Sequence, residues 1–253
     1  MRLPAPLPLT GAVLALLVAC AGPQHAGGEA GAALTRAQAE AIVAAPDRSA
    51  ADRKNDLRRK PVDMLAFIGV RPGMTVLDVS AGGGYTTELL ARAVGPTGRV
   101  YAQTPRAPGA ALAARLHAPA MSNVVSVVAP FESLLPPELA AAGVDRVTLM
   151  FNYHDMGHLG VDRARMNAAV FAALKPGGLY VIADHSGRPG TGISESGTLH
   201  RVEEALVRRE VEAAGFRFLA DADFLRNPAD RRDRNEPDPP QPKDEFVLKF
   251  VKP

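Results

Sequence analysis

The stretch VLDVSAGGGYTTELL, residues 76–90, has the pattern of a buried strand that turns directly into a helix. Apolar residues and Asp78 are followed by a run of small residues, 80–84, and then by helix-forming residues. In an open parallel sheet, ligands bind beyond the carboxyl ends of the strands, and small residues there let the backbone approach the ligand. The start of the helix adds free backbone N–H groups. The sequence therefore predicts a ligand site at this turn, of the kind that holds a nucleotide.

Strand and helix patterns alternate along the chain around this turn. Strands are predicted at residues 75–79, 99–103, 124–129, 146–151, 178–184, 216–222 and 245–251. Helices are predicted at residues 34–45, 49–70 (interrupted at Pro61), 85–94, 107–117, 161–174 and 198–214. This alternation indicates a mostly parallel sheet with helices on both faces, and the last two strands, with no helix between them, indicate an antiparallel edge. The predicted fold class is thus α/β, a Rossmann-like seven-stranded sheet with an antiparallel C-terminal edge strand.

The composition of the chain argues against nucleic acid as a partner and against sites built from several cysteines. The 253 residues are 47% apolar and 22% charged, which is ordinary for a globular protein and sufficient for one large domain. The formal net charge is only +2, tryptophan is absent and aromatic residues are scarce, so neither a basic surface nor a stacking platform favours nucleic acid as the partner. Cys20 is the single cysteine, which excludes a disulfide framework and a cysteine-rich metal site.

The first residues have the features of an export signal. Residues 1–20 combine Arg2 with an apolar run of about a dozen residues, a length that suits a signal peptide better than a membrane span. The run ends in the letters LVAC, which resemble the lipobox of bacterial lipoproteins. Cys20 is therefore predicted to be acylated and to anchor the protein to the periplasmic side of the cell envelope. A soluble protein with a hydrophobic leader and an incidental cysteine is the alternative.

The rest of the chain is predicted to form one domain. Residues 21–33 are small and glycine-rich, as in a flexible tether. Residues 34–253 follow as a single domain that begins with a helical cap over residues 34–70. The sequence contains no internal repeat that would indicate a second domain.

The small residues of the turn distinguish between two nucleotide-binding patterns. The dinucleotide pattern G-x-G-x-x-G fails, because from Gly82 its third glycine falls on Thr87. The pattern Asp-x-Gly-x-Gly-x-Gly fits from Asp78 to Gly84, except that Ser80 occupies the first glycine position. This second pattern is the first motif of the class I S-adenosylmethionine-dependent methyltransferases.

Three further stretches extend this similarity. VRPGMTVLDV (70–79), LKPGGLYVIAD (174–184) and EAAGFRFLAD (212–221) are similar to the segments that lead into the first strand, the fifth strand and the terminal hairpin of that family. The chain thus resembles the class I methyltransferases over about residues 50–253. The resemblance implies their seven-stranded sheet with its reversed last strand, and S-adenosylmethionine as the cofactor.

The resemblance also implies where the cofactor binds. The residues that it places near the cofactor are Asp78, Ser80, Ala81, Gly82, Gly84, Gln103, Phe131, Glu132 and Asn152. Two of them depart from the family pattern. Ser80 adds a side chain where glycine is usual, and Gln103 stands where the family has an acid that accepts the ribose hydroxyls. A neutral amide lacks the charge assistance of that acid, which is worth roughly 1 kcal/mol or more.

Candidate catalytic residues follow the fourth and fifth predicted strands. His154 and Asp155 come after the fourth strand, and Asp184 and His185 come after the fifth. Because strand ends converge on one rim of a parallel sheet, these side chains are expected to face one cleft. A histidine that is hydrogen-bonded to a carboxylate can act as a general base near neutral pH. His154 is predicted as that base, with Asp184 and His185 as orienting or substrate-contacting residues, while His200 is expected to open a helix over the cleft.

The sequence leaves alternatives open for the function of these residues. A bound zinc or iron ion is the alternative, for which the available ligands are His154, Asp155, His158, Asp184, His185 and His200. We expect no metal, because Met156 and Gly157 weaken a helix between His154 and His158 and no glutamate follows His154. The acceptor of the methyl group is expected to be a small molecule or an envelope component. A non-catalytic binding or assembly module at the envelope is the second hypothesis for the whole protein.

Overall fold

A computed structural model describes Met1, residues 32–238 and residues 240–253. Its helices are α1 (Arg36–Val43), α2 (Ala50–Arg59), α3 (Pro61–Ile68), α4 (Tyr85–Val94), α5 (Ala110–Arg115), α6 (Pro137–Ala142), α7 (Asp155–His158), α8 (Arg163–Ala173) and α9 (Glu204–Ala213). Its strands are β1 (Thr75–Val79), β2 (Arg99–Thr104), β3 (Val124–Val128), β4 (Val144–Met150), β5 (Leu174–His185), β6 (Arg217–Ala222) and β7 (Glu245–Val251).

The seven strands form one sheet in the order β3-β2-β1-β4-β5-β7-β6. Strands β1 to β5 are parallel to one another, whereas β7 is antiparallel to both β5 and β6. This arrangement confirms the predicted fold class. The chain runs outward from β1 to β3 and then returns to β4 on the other side of β1, so the strand order reverses between β1 and β4. A crevice opens there at the carboxyl ends of the strands.

The central strands are apolar because helices cover both faces of the sheet. Successive residues of β1 point to opposite faces: Leu77 packs in the hydrophobic core that includes Val170 of α8, and Val76 packs in the core that includes Leu90 of α4. Both β1 side chains are fully buried. The crevice therefore lies above a rigid, packed sheet.

The break between α2 and α3 follows from local backbone geometry. Lys60 ends α2 in a left-handed conformation with φ 44°, and Pro61 occupies the first position of α3. Proline is favoured at that position because its missing N–H has no partner in the first turn of a helix. The interruption predicted at Pro61 is therefore present.

Ion pairs hold α2 against the domain. Arg115 of α5 binds the Asp52 carboxylate through two hydrogen bonds of 2.7 and 3.0 Å. Arg48 binds Asp56 through two hydrogen bonds of 2.7 and 2.9 Å, and Asp56 also accepts a hydrogen bond of 2.6 Å from the hydroxyl of Tyr85. Because Tyr85 is the first residue of α4, α2 is fixed beside the turn that precedes α4.

The predicted helix over residues 198–214 is wrong in its first six residues. Helix α9 begins at Glu204, and the preceding segment runs beside the end of β5. The N–H of Val202 donates to the carbonyl of His185 at 3.1 Å, and the N–H of Gly187 donates to the carbonyl of Val202 at 2.7 Å. His200 lies before this pairing with a φ of 51° and does not open a helix.

The predicted export signal lies almost entirely outside the described residues. Residues 2–31, which include Cys20 and most of the predicted tether, have no described structure. Among the helices that are described, none has the length and apolarity needed to cross a membrane.

Candidate active site

The turn after β1 is built from left-handed backbone conformations. Ser80, Gly82 and Gly84 have φ values of 58°, 56° and 82°. Glycine adopts this region at no steric cost, whereas Ser80 is strained there, and strain of this kind is concentrated at functional sites. The N–H of Gly84 donates to the carbonyl of Ala81 at 2.8 Å, which closes the turn into the first residue of α4.

One side of the turn is open and the other is packed. A Cβ atom at Gly82 would meet nothing closer than the carbonyl oxygen of Ser80, at 3.8 Å. At Gly84, a Cβ would lie 2.9 Å from side-chain carbons of both Leu112 and Arg115. Gly84 is therefore required for contact with α5, while Gly82 leaves its backbone accessible to a ligand.

Asp78 lies beneath the turn with 2% of its surface exposed. Its carboxylate accepts hydrogen bonds from the hydroxyls of Thr87, at 2.6 Å, and Thr148, at 2.8 Å. Burial raises the pKa of Asp78 to about 6, although the two hydroxyls and Arg59 favour the charged form. Asp78 thus joins β1 to α4 and β4 and places a partly protonated carboxyl group beneath the predicted pocket.

Gln103 is fully buried at the end of β2. Its Oε1 accepts a hydrogen bond of 2.9 Å from the N–H of Ser80, and its Nε2 donates one of 2.6 Å to the carbonyl of Ala129. The amide therefore ties the turn to the end of β3. An ionised aspartate or glutamate at position 103 could not donate to the Ala129 carbonyl. This contact is therefore a structural reason for the amide of Gln103.

Arg59 is a residue of this pocket that the sequence did not single out. Its guanidinium carbon lies 4.4 Å from the ring centroid of Phe151 and 5.1 Å from that of Tyr85. Its Nε is buried without a hydrogen-bond partner, and its guanidinium forms no salt bridge with any residue that the structure describes. Burial and the neighbouring Arg58 lower the pKa of Arg59. A partly buried guanidinium without a carboxylate partner is a place for an anionic group of a ligand.

The sequence contained only a weak signal for Arg59. It belongs to a basic segment that also carries Arg48 and Arg58, but Arg48 is paired with Asp56 and Arg58 is paired with Glu245. Identical side chains on one short segment thus differ in their partners, which residue type and spacing do not reveal.

His154 and Asp184 are brought together at the ends of β4 and β5. The Nδ1 of His154 lies 2.7 Å from Oδ1 of Asp184, and the backbone N–H of His154 donates to Oδ2 of Asp184 at 2.7 Å. The Nε2 of His154 lies 3.1 Å from Oδ1 of Asp155. Burial alone would lower the pKa of His154, but the two carboxylates outweigh it and raise the pKa to about 9. With no other ligand bound, His154 is therefore protonated at neutral pH, and its predicted role as a general base requires that this proton leave first.

His185 also lies in this group, but its environment keeps it neutral. Burial lowers the pKa of His185 to about 3. Its Nδ1 lies 3.0 Å from Oε1 of Glu245 without forming a hydrogen bond, and its ring centroid lies 5.4 Å from that of His154. Burial likewise raises the pKa of Glu245 to about 7, although Arg58 opposes the shift.

The other three residues predicted to lie near the cofactor have separate contacts. Phe131 is 5% exposed and packs in the same core as Leu77, and Glu132 accepts a hydrogen bond of 3.1 Å from the N–H of Asp162. The Nδ2 of Asn152 donates to Oδ2 of Asp155 at 2.9 Å, which places Asn152 with the histidines. The structure thus brings the predicted turn residues together and, separately, the predicted catalytic residues with Asn152.

A cleft of about 380 Å³ opens beside His185. Its lining residues include Arg58, His185, Asn235, Gln241, Lys243 and Glu245. Lys243 donates a hydrogen bond of 2.8 Å to the side chain of Asn235. The cleft therefore combines two basic side chains with two carboxyl groups, Glu236 and Glu245, of which Glu245 has a raised pKa.

Comparison with known proteins agrees with this geometry. Residues 77–182 match a methyltransferase domain. The match begins in β1 and ends in β5, so it covers the turn and the end of β4 with His154, whereas Asp184 and His185 lie just beyond it. It confirms a methyltransferase as the predicted class of enzyme, and it agrees with S-adenosylmethionine as the predicted cofactor. It gives no support to the alternative of a non-catalytic binding module.

Solved structures share the fold. A SAM-dependent methyltransferase from Aquifex aeolicus is 19% identical with a TM-score of 0.60, over 87% of this chain and 100% of that one. A putative methyltransferase from Haloferax volcanii, solved with the Trm112 methyltransferase activator, is 18% identical with a TM-score of 0.58, over 85% of this chain and 97% of that one. A putative sarcosine dimethylglycine methyltransferase from Galdieria sulphuraria is 15% identical with a TM-score of 0.59, over 79% of this chain and 87% of that one. At these identities the similarity shows a shared fold and nothing beyond it.

Proposed function

We propose that this protein transfers the methyl group of S-adenosylmethionine to a small molecule or an envelope component that binds in the cleft beside His185. The observation that carries this proposal is the open backbone at Gly82 together with the unpaired guanidinium of Arg59, at the crevice where the strand order reverses. The methyltransferase domain match over residues 77–182 supports the same chemistry.

The residues present fit the cofactor. The backbone from Ser80 to Gly84 would bind it, since Gly82 leaves room for close approach. Arg59 would bind its carboxylate, because a partly buried guanidinium without a carboxylate partner gains a charge-assisted hydrogen bond. When bound, S-adenosylmethionine supplies a methyl group that is already activated on a sulfonium, so correct alignment provides most of the rate.

The cleft favours a polar acceptor. Arg58 and Lys243 line it together with the carboxyl groups of Glu236 and Glu245, and Arg58 is paired with Glu245. Because burial raises the pKa of Glu245 to about 7, its negative charge is incomplete at neutral pH, and this carboxyl group can donate or accept a hydrogen bond. His185 is neutral and faces the same space, so it can accept or donate a hydrogen bond to the acceptor.

The cofactor part of the proposal is tested by titration calorimetry with S-adenosylmethionine and S-adenosylhomocysteine. We expect the wild type to bind both, and Arg59→Met to weaken binding at least about tenfold, the equivalent of one lost charge-assisted hydrogen bond. Lys54→Met is the matched control, because Lys54 lies on the same helix and is exposed. Wild-type protein that binds neither compound, or equal affinities for Arg59→Met and the wild type, would contradict the proposal.

The proposed location rests on the sequence of the first residues. We propose that the mature chain begins at an acylated Cys20 and is anchored to the cell envelope. Mass spectrometry of the membrane fraction should find the lipid-modified Cys20, and Cys20→Ser should move the protein out of that fraction. An unprocessed chain that begins at Met1 and remains outside the membrane fraction would refute this location.

A further inference from the structure

Four of the six histidines of the chain gather at one place on the rim. Three of them, His154, His158 and His200, surround a single carboxylate, that of Asp155. Their nearest ring nitrogens lie 3.1, 3.9 and 3.5 Å from the same atom, Asp155 Oδ1. We refer to His154, Asp155, His158 and His200 as the histidine cluster.

Neighbouring side chains fix the direction of these groups. Fully buried Asp184 holds Nδ1 of His154 at 2.7 Å, so that Nε2 faces the centre of the cluster. Ser196 holds Nδ1 of His158 at 2.9 Å and leaves its Nε2 facing Asp155. Metal-binding histidines are held in a similar way, with the second ring nitrogen bonded to a carboxylate, a backbone carbonyl or water.

Asp155 and His200 are positioned as well. Asn152 donates to Oδ2 of Asp155 at 2.9 Å, which leaves Oδ1 to face the imidazoles. His200 reaches the cluster from the segment before α9, in a left-handed conformation with φ 51°. A residue that is held in a strained conformation with its side chain against such a group indicates a functional constraint.

From this convergence we infer that His154 Nε2, Asp155 Oδ1 and His200 Nδ1 bind a divalent first-row transition metal. The three atoms lie within 4.8 Å of one another. Ligands about 2.1 Å from a tetrahedral ion are separated by about 3.4 Å. The distances from Asp155 Oδ1 to the two imidazole nitrogens, 3.1 and 3.5 Å, are close to that separation. Two imidazoles and one carboxylate are a ligand set of Zn²⁺, Fe²⁺, Mn²⁺ and Co²⁺ that leaves further positions open.

A metal at this place would lie beside the proposed acceptor cleft. The ring of His154 is 5.4 Å from that of His185, which lines the cleft. An open coordination position could hold an oxygen of the acceptor and favour its deprotonated form. That role rests on the proposed function, whereas metal binding itself does not depend on it.

The experiment uses the full mature chain without cofactor, after treatment with a chelator. Co²⁺ is titrated while its visible absorption bands are recorded, and Zn²⁺ is then added in competition. We expect absorption that saturates at one equivalent of Co²⁺ and is displaced by Zn²⁺. Absence of these bands, or saturation only at large excess, would overturn the inference.

Variants separate this site from surface histidines and from the cofactor pocket. His200→Gly removes one ligand and suits the left-handed backbone, and Asp155→Asn removes a second without a change of size. Both should weaken Co²⁺ binding at least about tenfold. His117→Ala, at an exposed histidine outside the cluster, and Arg59→Met should leave Co²⁺ binding unchanged. Equal Co²⁺ affinities in His200→Gly, Asp155→Asn and the wild type would refute the assignment, even if the cofactor binds as proposed.

Discussion

Asp78 offers a direct test of how the pocket is charged. Its carboxyl group is 2% exposed, and burial raises its pKa from 3.8 to about 6. Since a shift of one pKa unit corresponds to about 1.36 kcal/mol, ionisation of Asp78 costs the folded protein about 3 kcal/mol. Protonation of Asp78 therefore stabilises the folded protein relative to the unfolded chain. This stabilisation is fully present below the unfolded pKa of 3.8 and is lost as the pH rises through the folded-state pKa of about 6.

The variant Asp78→Asn should remove this dependence. At pH 5, one unit below the folded-state pKa, proton binding to Asp78 stabilises the wild type by about 1.4 kcal/mol relative to pH 7.5. The amide of asparagine can still bond to the hydroxyls of Thr87 and Thr148, because a hydroxyl both donates and accepts. We therefore expect the variant to gain stability relative to the wild type at pH 7.5.

The assay is urea unfolding of both proteins at pH 5 and pH 7.5, with and without cofactor. Other titrating groups such as Glu245 cancel in the comparison of variant with wild type, which isolates the contribution of Asp78. The difference in unfolding free energy between the two proteins should change by about 1.4 kcal/mol between the two pH values. A difference that stays constant from pH 5 to pH 7.5 would show that Asp78 is ionised throughout, and the account of its burial would be wrong.

Two further substitutions test contacts that the sequence did not reveal. Gln103→Glu should destabilise the protein by about 1–3 kcal/mol at neutral pH, because the carbonyl of Ala129 loses its donor and meets a buried carboxylate; urea unfolding measures this loss, and unchanged stability would refute the bridging role of the amide. Arg201→Met should cost about 3–5 kcal/mol, because fully buried Arg201 is paired with Asp230 at 2.8 Å and its loss leaves an unpaired buried charge. Thermal unfolding would show a clear decrease in the unfolding temperature, whereas Arg231→Met, at an exposed arginine next to Asp230, should have little effect.

The sequence predicted the parts of the fold that depend on local patterns. The strands could be found because apolar residues such as those of β1 and β5 are buried on both faces, and the turn at Ser80–Gly84 could be found because its small residues stand at fixed spacing. The break at Pro61 followed from the chemistry of proline. In each case the determining residues are close together in the chain.

The features that were predicted wrongly or missed depend on contacts between residues far apart in the chain. The segment before α9 has a helical pattern, but Val202 pairs with the end of β5, and buried Arg201 is tied to Asp230 further along the chain. These contacts override helix propensity at His200 and carry its imidazole into the histidine cluster. For the same reason, no periodicity could show that Arg59 lacks the partners that neighbouring arginines have.

Strand register explains why the pocket and the histidine cluster lie on one rim. Asp78 of β1 is paired with Thr148 of β4, and its carboxylate accepts the hydrogen bond of that hydroxyl. Further along β4, Met150 is paired with Ala183, so that the next residue of β5, Asp184, reaches both the backbone and the ring of His154. A slip of one residue between β4 and β5 would turn the Asp184 side chain to the opposite face and remove both contacts. Backbone pairing along β4 thus sets the distance between Asp78 and Asp184, the residue that holds His154. A transfer that depends on alignment of methyl donor and acceptor needs a spacing of this rigid kind.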